Sequence, residues 1–269
     1  MQRFKSIRPR FAEDAGPRRP RAGRGRLAAG VAAGLSALML PVAAMACPLA
    51  LVLAIDVSSS VDASDYRLQM RGLGEAFEDR EVVDAIVSNG GVLVTAFEWS
   101  GRNQQVPIAD WTWLETPAAV QTFADRLAGA SRSHHRFPTA LGYALGHAAI
   151  QFNRAPRACA RQVVDVSGDG VNNEGFPPAS AYRAFDFSRT TVNGLVIRGA
   201  DPDPVAYYRE TVIRGPGAFV ETAESFADYG TAMKRKLLRE IAGNAFARNE
   251  PQGAPRALAY RQFRRDDAP

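Results

Sequence analysis

Leu49 to Ile55 is an unbroken apolar run, and it closes on an acid, Asp56. A run this short and this uniformly apolar suits a strand buried on both faces, as in parallel sheets. Helical spacing begins again near Ser64 or Asp65. Asp56, Ser58 and Ser60 therefore form an Asp-x-Ser-x-Ser turn at the carboxyl end of a strand, where open α/β sheets bind ligands. Carboxylates and hydroxyls are hard oxygen donors, suited to Mg²⁺, Mn²⁺ or Ca²⁺ rather than to zinc or copper.

The same alternation continues along the chain. From Asp65 to Ile86, Leu68, Gly72, Leu73, Ala76 and Phe77 follow helical spacing, and Gly90-Gly91 ends the segment. Val92 to Phe97 is a second apolar strand. Gln104 to Ile108 reads as a short edge strand, because Pro107 does not suit a central one. Thr116-Pro117 opens a helix, and another starts at about Thr139. Arg161 to Ser167 is a strand that runs into the Gly168-Asp169-Gly170 turn. Helices are expected over 179–187, 204–212 and 225–241, and strands over 191–197 and 218–220. Strands alternating with helices predict an α/β fold, a doubly wound, mostly parallel central sheet with helices on both faces. There is no internal repeat.

The formal charge of +5 misleads about partners. Residues 1–46 hold nine Lys/Arg and two acids, which leaves 24 basic against 26 acidic residues in the remainder. That balance argues against nucleic-acid binding. Residues 1–46 combine a basic start, an apolar Leu27 to Ala46 segment and an Ala44-Met45-Ala46 end, the pattern of a cleaved signal peptide. The expected product is an exported chain, periplasmic or secreted, with no membrane span once cleaved. Retention of the segment as an anchor is the alternative. The domain is expected over 47–247, and the polar residues 248–269 are expected to be a disordered tail.

Cys47 and Cys159 are the two cysteines. Cys47 lies nine residues before Asp56, and Cys159 ten before Asp169. If both acids end adjacent parallel strands, the cysteines meet at the opposite ends, and an exported chain keeps such a disulfide. Two unpaired core cysteines are the plainer alternative. Lipidation of Cys47 after cleavage is another, and it would exclude the bridge.

Asp169 follows a second strand, and Thr139 follows Phe137-Pro138 at the start of a helix. With Asp56, Ser58 and Ser60 they give two carboxylates and three hydroxyls from three loops. This set, in this order, resembles the metal-ion-dependent adhesion site of von Willebrand factor A-type domains. The likeness spans about residues 48–245. More narrowly, Asp165 to Gly170 with Asn172-Asn173, Phe97 to Gly101, and Gly215 to Phe219 resemble an exported bacterial group of such domains of unassigned function. One departure stands out. The usual final acid lies in Thr-Asp-Gly, whereas here Ser167-Gly168 precede Asp169.

The resemblance implies a sheet with a divalent cation on its upper edge, Mg²⁺ first and Mn²⁺ or Ca²⁺ as alternatives. Ser58, Ser60 and Thr139 would bind it directly, and Asp56 and Asp169 partly through water. A cation held mainly by hydroxyls stays under-neutralised and accepts an Asp or Glu from a protein partner. The expected function is therefore a binding module rather than an enzyme. The alternative is a metal-dependent hydrolase or phosphotransferase, but aspartate-nucleophile sites carry a second acid where this chain has Ser58, and no glycine-rich phosphate loop is present.

Other residues invite a functional reading with less reason. His134-His135 lack a third zinc-type ligand at suitable spacing. His147 falls within a helix. Asp165, inside an apolar strand, needs a buried partner and reads as structural. Glu98 could orient the site or pair at a strand end. Trp99, Trp111 and Trp113 suit packing as well as binding.

Overall fold

The computed structural model describes residues 47–249. The expected signal peptide, and the tail from residue 250 onward, lie outside them. The chain begins with β1 (Cys47–Asp56), α1 (Ala63–Glu78), α2 (Arg80–Ser88), β2 (Val92–Trp99) and β3 (Gln105–Leu114). It continues through α3 (Pro117–Ala128), α4 (Leu141–Asn153), β4 (Cys159–Gly168), α5 (Pro178–Ala184) and β5 (Thr190–Ile197). It ends with α6 (Pro204–Tyr207), a π-helical turn (Tyr208–Val212), β6 (Val220–Ala223) and α7 (Tyr229–Asn249).

The six strands form one sheet in the order β3-β2-β1-β4-β5-β6. All neighbours are parallel except β2 and β3. From β1 the chain builds outward to β3 on one side, then returns to β4 and builds outward to β6 on the other. The order thus reverses between β1 and β4. Crossover connections diverge at such a point and leave a crevice at the carboxyl ends of the strands. Asp56 ends one of these two strands, and Asp169 follows the other.

Alternation along the strands assigns the two faces. Leu49, Leu51, Leu53 and Ile55 face α1, α2, α3 and α7 through Leu73, Phe77, Ile86, Leu127, Met233 and Leu237. Val52, Ala54, Val164 and Val166 face α4, α5 and the π-helical turn through Leu141, Leu145, Ala181, Tyr208 and Val212. Both faces are dry, which is why β1 carries no polar residue before Asp56.

The bridge is made between Cys47 and Cys159, with Cα atoms 4.5 Å apart and directly paired across β1 and β4. The Cys47 sulfur is committed to this bridge.

Several boundaries differ from expectation. The helix expected from Asp65 to Ile86 begins at Ala63, capped by Asp62, and is two helices, broken at Asp79, whose side chain caps the second. The short edge strand is ten residues long and carries Trp111 and Trp113. As an antiparallel edge strand with register shifts, β3 tolerates Pro107. The helix expected at about Thr139 starts at Leu141. Helix α5 stops at Ala184, and the last strand is Val220–Ala223. Helix α7 takes in residues 248 and 249, which the sequence assigned to the tail.

Candidate metal centre

The crevice between β1 and β4 is built from three loops that hydrogen bonds fasten together. Asp56 is the last residue of β1 and is buried. Its Oδ1 accepts from the Ser58 amide at 2.7 Å, and its carbonyl accepts from Gln69 Nε2 of α1 at 3.0 Å. Ser58 Oγ lies 3.1 Å from Ser60 Oγ, which donates to Asp169 Oδ1 at 2.7 Å. Four of the five expected side chains therefore stand in one cluster. Thr139 is buried beside Gly170. Its Oγ1 lies 3.6 Å from where a Cβ on Gly170 would stand.

The loop carrying Thr139 is tied to both neighbours. The Ser59 amide donates to the Phe137 carbonyl at 2.8 Å, and the Ala140 amide to Ser100 at the end of β2 at 2.8 Å. The Thr139 amide donates to Asn173 Oδ1 at 2.8 Å, while the Asn173 and Glu174 amides donate to the Thr139 carbonyl. Asn172 Oδ1 accepts from the Gly142 amide in the first turn of α4. These are open donors at a helix start, which asparagine side chains satisfy.

Two residues that sequence reasoning left undecided or missed hold the loop over 129–138. Glu98, buried near the end of β2, accepts from the Tyr66 hydroxyl at 2.6 Å and from the amide and hydroxyl of Ser133. It pairs at a strand end and anchors the loop. Arg132 donates to the carbonyls of Val57 and Ser58 at 3.1 and 3.0 Å. Nothing in the local sequence marks Arg132, because its acceptors are backbone atoms of a distant loop. His134 packs edge-on against Phe137, and His147 lies against Phe97 and Gln151. Trp99 is fully buried, and Trp111 donates to the Gln151 carbonyl.

The electrostatics favour a cation. Burial first, then the Asp169 charge, pushes Asp56 up to about 8, opposed by the Ser58 hydrogen bonds and Arg132. Burial also raises Asp169, against the Ser60 hydrogen bond. Two buried carboxylates repelling each other ask for positive charge between them. Asp56 Oδ2 has no hydrogen-bond partner in the protein, and a buried carboxylate oxygen rarely stays so. Among the described residues no three His, Cys, Asp or Glu side chains are placed to hold a metal. A cation here would depend on hydroxyls, so the donor set suits a hard ion and not a zinc-type cluster.

This sheet, with acids and hydroxyls at its switch point, has the fold of von Willebrand factor A-type domains. Solved structures share the fold. Proximal thread matrix protein 1 from the mussel byssus is 18% identical, with TM-score 0.56, over 74% of this chain and 49% of that one. A von Willebrand factor type A protein from Catenulispora acidiphila is 18% identical, with TM-score 0.52, over 73% and 43%. The corresponding domain of the type V pili tip protein Mfa5 from Porphyromonas gingivalis is 11% identical, with TM-score 0.51, over 79% and 99%. A further structure of the mussel protein has zinc in its adhesion-site motif. This chain spans under half the length of the first two. No curated protein matches the sequence. The chain belongs to the family described as protein of unknown function (DUF1194), whose profile matches residues 46–245.

Proposed function

We propose that this chain is an exported, divalent-cation-dependent protein-binding module. Ser58, Ser60 and Thr139 are its direct ligands, and Asp56 and Asp169 act partly through water. Mg²⁺ is the first choice, since it keeps waters readily; Mn²⁺ and Ca²⁺ suit the same oxygens. The observation that carries this reading is the linked run from Ser58 Oγ through Ser60 Oγ to Asp169 Oδ1, beside a buried Asp56 oxygen with no partner. Neutral hydroxyls leave most of the ion's charge uncompensated, so it attracts an Asp or Glu from a protein partner as its last ligand. The fold shared with pilus-tip and byssus-matrix proteins supports an adhesion-type role. No helix among the described residues is long and apolar enough to cross a membrane. The Cys47–Cys159 bridge suits an oxidising compartment.

The test is calorimetric titration of Mg²⁺, Mn²⁺ and Ca²⁺ into the purified chain, beside Asp56→Ala and Ser58→Ala. Heat in the parent, lost in both variants with circular dichroism unchanged, supports the reading. Absence of binding by the parent at millimolar cation overturns it.

A further inference from the structure

Tyr208 is fully buried, yet its hydroxyl has no hydrogen-bond partner in the protein. It opens the π-helical turn Tyr208–Val212, in which the Ile213 amide donates to the Tyr208 carbonyl. Turns of this kind bring one side chain into a position an α-helix would not offer, often at a functional site. The side chain packs against two glycines on adjacent strands, which leave room for it. A Cβ on Gly194 of β5 would stand 2.7 Å from Tyr208 Cδ1. A Cβ on Gly168 of β4 would stand 2.7 Å from the Tyr208 hydroxyl and 2.8 Å from Asp56 Oδ2. The two buried oxygens without partners thus both border the gap at Gly168. This is also where the sequence departs from Thr-Asp-Gly. A side chain there would push the phenol and the carboxylate apart.

We infer that Tyr208 is a positioning residue for Asp56: its hydroxyl donates to Asp56 Oδ2, directly or through one water, across the space that Gly168 keeps open. A phenol keeps its proton at neutral pH and can donate it to a carboxylate oxygen. Asp56 Oδ1 is already held by the Ser58 amide. With both oxygens tied, the carboxylate has one orientation, and Oδ2 keeps a second lone pair for a water on the cation. Supporting partners of this kind typically change metal affinity by about 10- to 100-fold when removed. This consequence for affinity rests on the cation reading above; the hydrogen bond itself does not.

The experiment is a double-mutant cycle with Tyr208→Phe and Asp56→Asn, read twice on the full chain. Urea unfolding in chelator tests the link without any metal. The expected result is a lower midpoint for Tyr208→Phe and non-additive effects in the double variant. A hydroxyl without a partner would give the opposite, because removing it relieves a desolvation penalty. A raised or unchanged midpoint with additive effects therefore overturns the inference. Mg²⁺ calorimetry on parent, Tyr208→Phe and Gly168→Ala then tests the role. Affinity lowered about tenfold or more in both variants, with circular dichroism retained, supports it. Affinity within twofold of the parent in Tyr208→Phe overturns it. Failure of the parent to bind any cation, with coupling present in chelator, upholds the Tyr208–Asp56 link and removes only the cation reading.

Discussion

Lys236 Nζ lies 2.6 Å from Asp165 Oδ2, joining the middle of α7 to the centre of β4 with both side chains almost wholly buried. The same ammonium lies 2.6 Å from Glu240 Oε1, which also accepts from Asn193 Nδ2. Two carboxylates thus share one cation in the dry layer between sheet and helix. Lys236→Met leaves both acids without it. Breaking a buried pair from one side costs about 3–5 kcal/mol, measurable by urea unfolding at neutral pH. A loss below about 1 kcal/mol would show that the network reorganises around Arg161, whose guanidinium already reaches the Glu240 carbonyl.

The same network makes stability depend on pH. Burial first pushes Asp165 from 3.8 up to about 7; Glu240 adds to this and Lys236 opposes it. The groups facing it are Lys236 and Glu240, with the Tyr229 phenol nearby on α7. A raised carboxyl holds its proton more tightly folded than unfolded, so its contribution is full below the unfolded value and is lost as pH rises through about 7. Asp165→Asn has no such proton. Parent stability relative to this variant should fall between about pH 4 and pH 8. Parallel stability curves would exclude the assignment.

The Cys47–Cys159 bridge closes a separation of 112 residues, so its removal frees a long loop in the unfolded chain. A Cys47→Ser, Cys159→Ser double variant should lose about 2–5 kcal/mol, read as a lower urea midpoint. Because the bridge sits at the amino ends of β1 and β4, far from Asp56, cation affinity in the folded fraction should not change.

Asn173 offers a test of the Thr139 loop alone. Its side chain accepts from the Thr139 amide, so Asn173→Ala leaves that donor open and frees the loop. Loss of a supporting hydrogen bond of this sort should weaken Mg²⁺ binding by about 10-fold or more, while the Tm moves little. Unchanged affinity would show that the backbone bonds to the Thr139 and Phe137 carbonyls hold the loop without the Asn173 side chain.

Glu98→Gln addresses the loop over 129–138. The carboxylate accepts three hydrogen bonds, and an amide nitrogen would face one of those donors instead. The expected cost is about 1–3 kcal/mol. Trypsin should also cut faster at Arg132 and Arg136, because the loop loses its anchor to the sheet. Equal cleavage rates would show that Arg132 holds the loop unaided.

Much of this was legible in the order of residues. The apolar run of β1 ending at Asp56 and the acid after β4 read as two strand ends, and if those strands are parallel neighbours the two cysteines meet at their opposite ends. The observed register pairs Cys47 with Cys159 and Ile55 with Ser167. Such signals are local: a strand buried on both faces must be apolar, and its length fixes where its two ends lie. The boundary errors were local too. Asp79 could continue one helix or cap another, and its capping bond to Glu81 selects the second.

Partnerships between residues distant in sequence belong to the tertiary structure. Sequence patterns showed that Asp165 needs a partner but not that Lys236 supplies it. They left Glu98 between two roles and gave no role to Arg132, Asn173 or Tyr208. Burial explains the difference. A polar atom in a dry layer must be matched by whatever the fold brings against it, and that depends on which helix covers which strand. The chain by itself determined the alternating strands and helices, the bridge between β1 and β4, and a row of hard oxygen donors at strand ends. Packing alone decided which of those oxygens are tied, and which, like Asp56 Oδ2, border the gap that a glycine leaves beside a phenol.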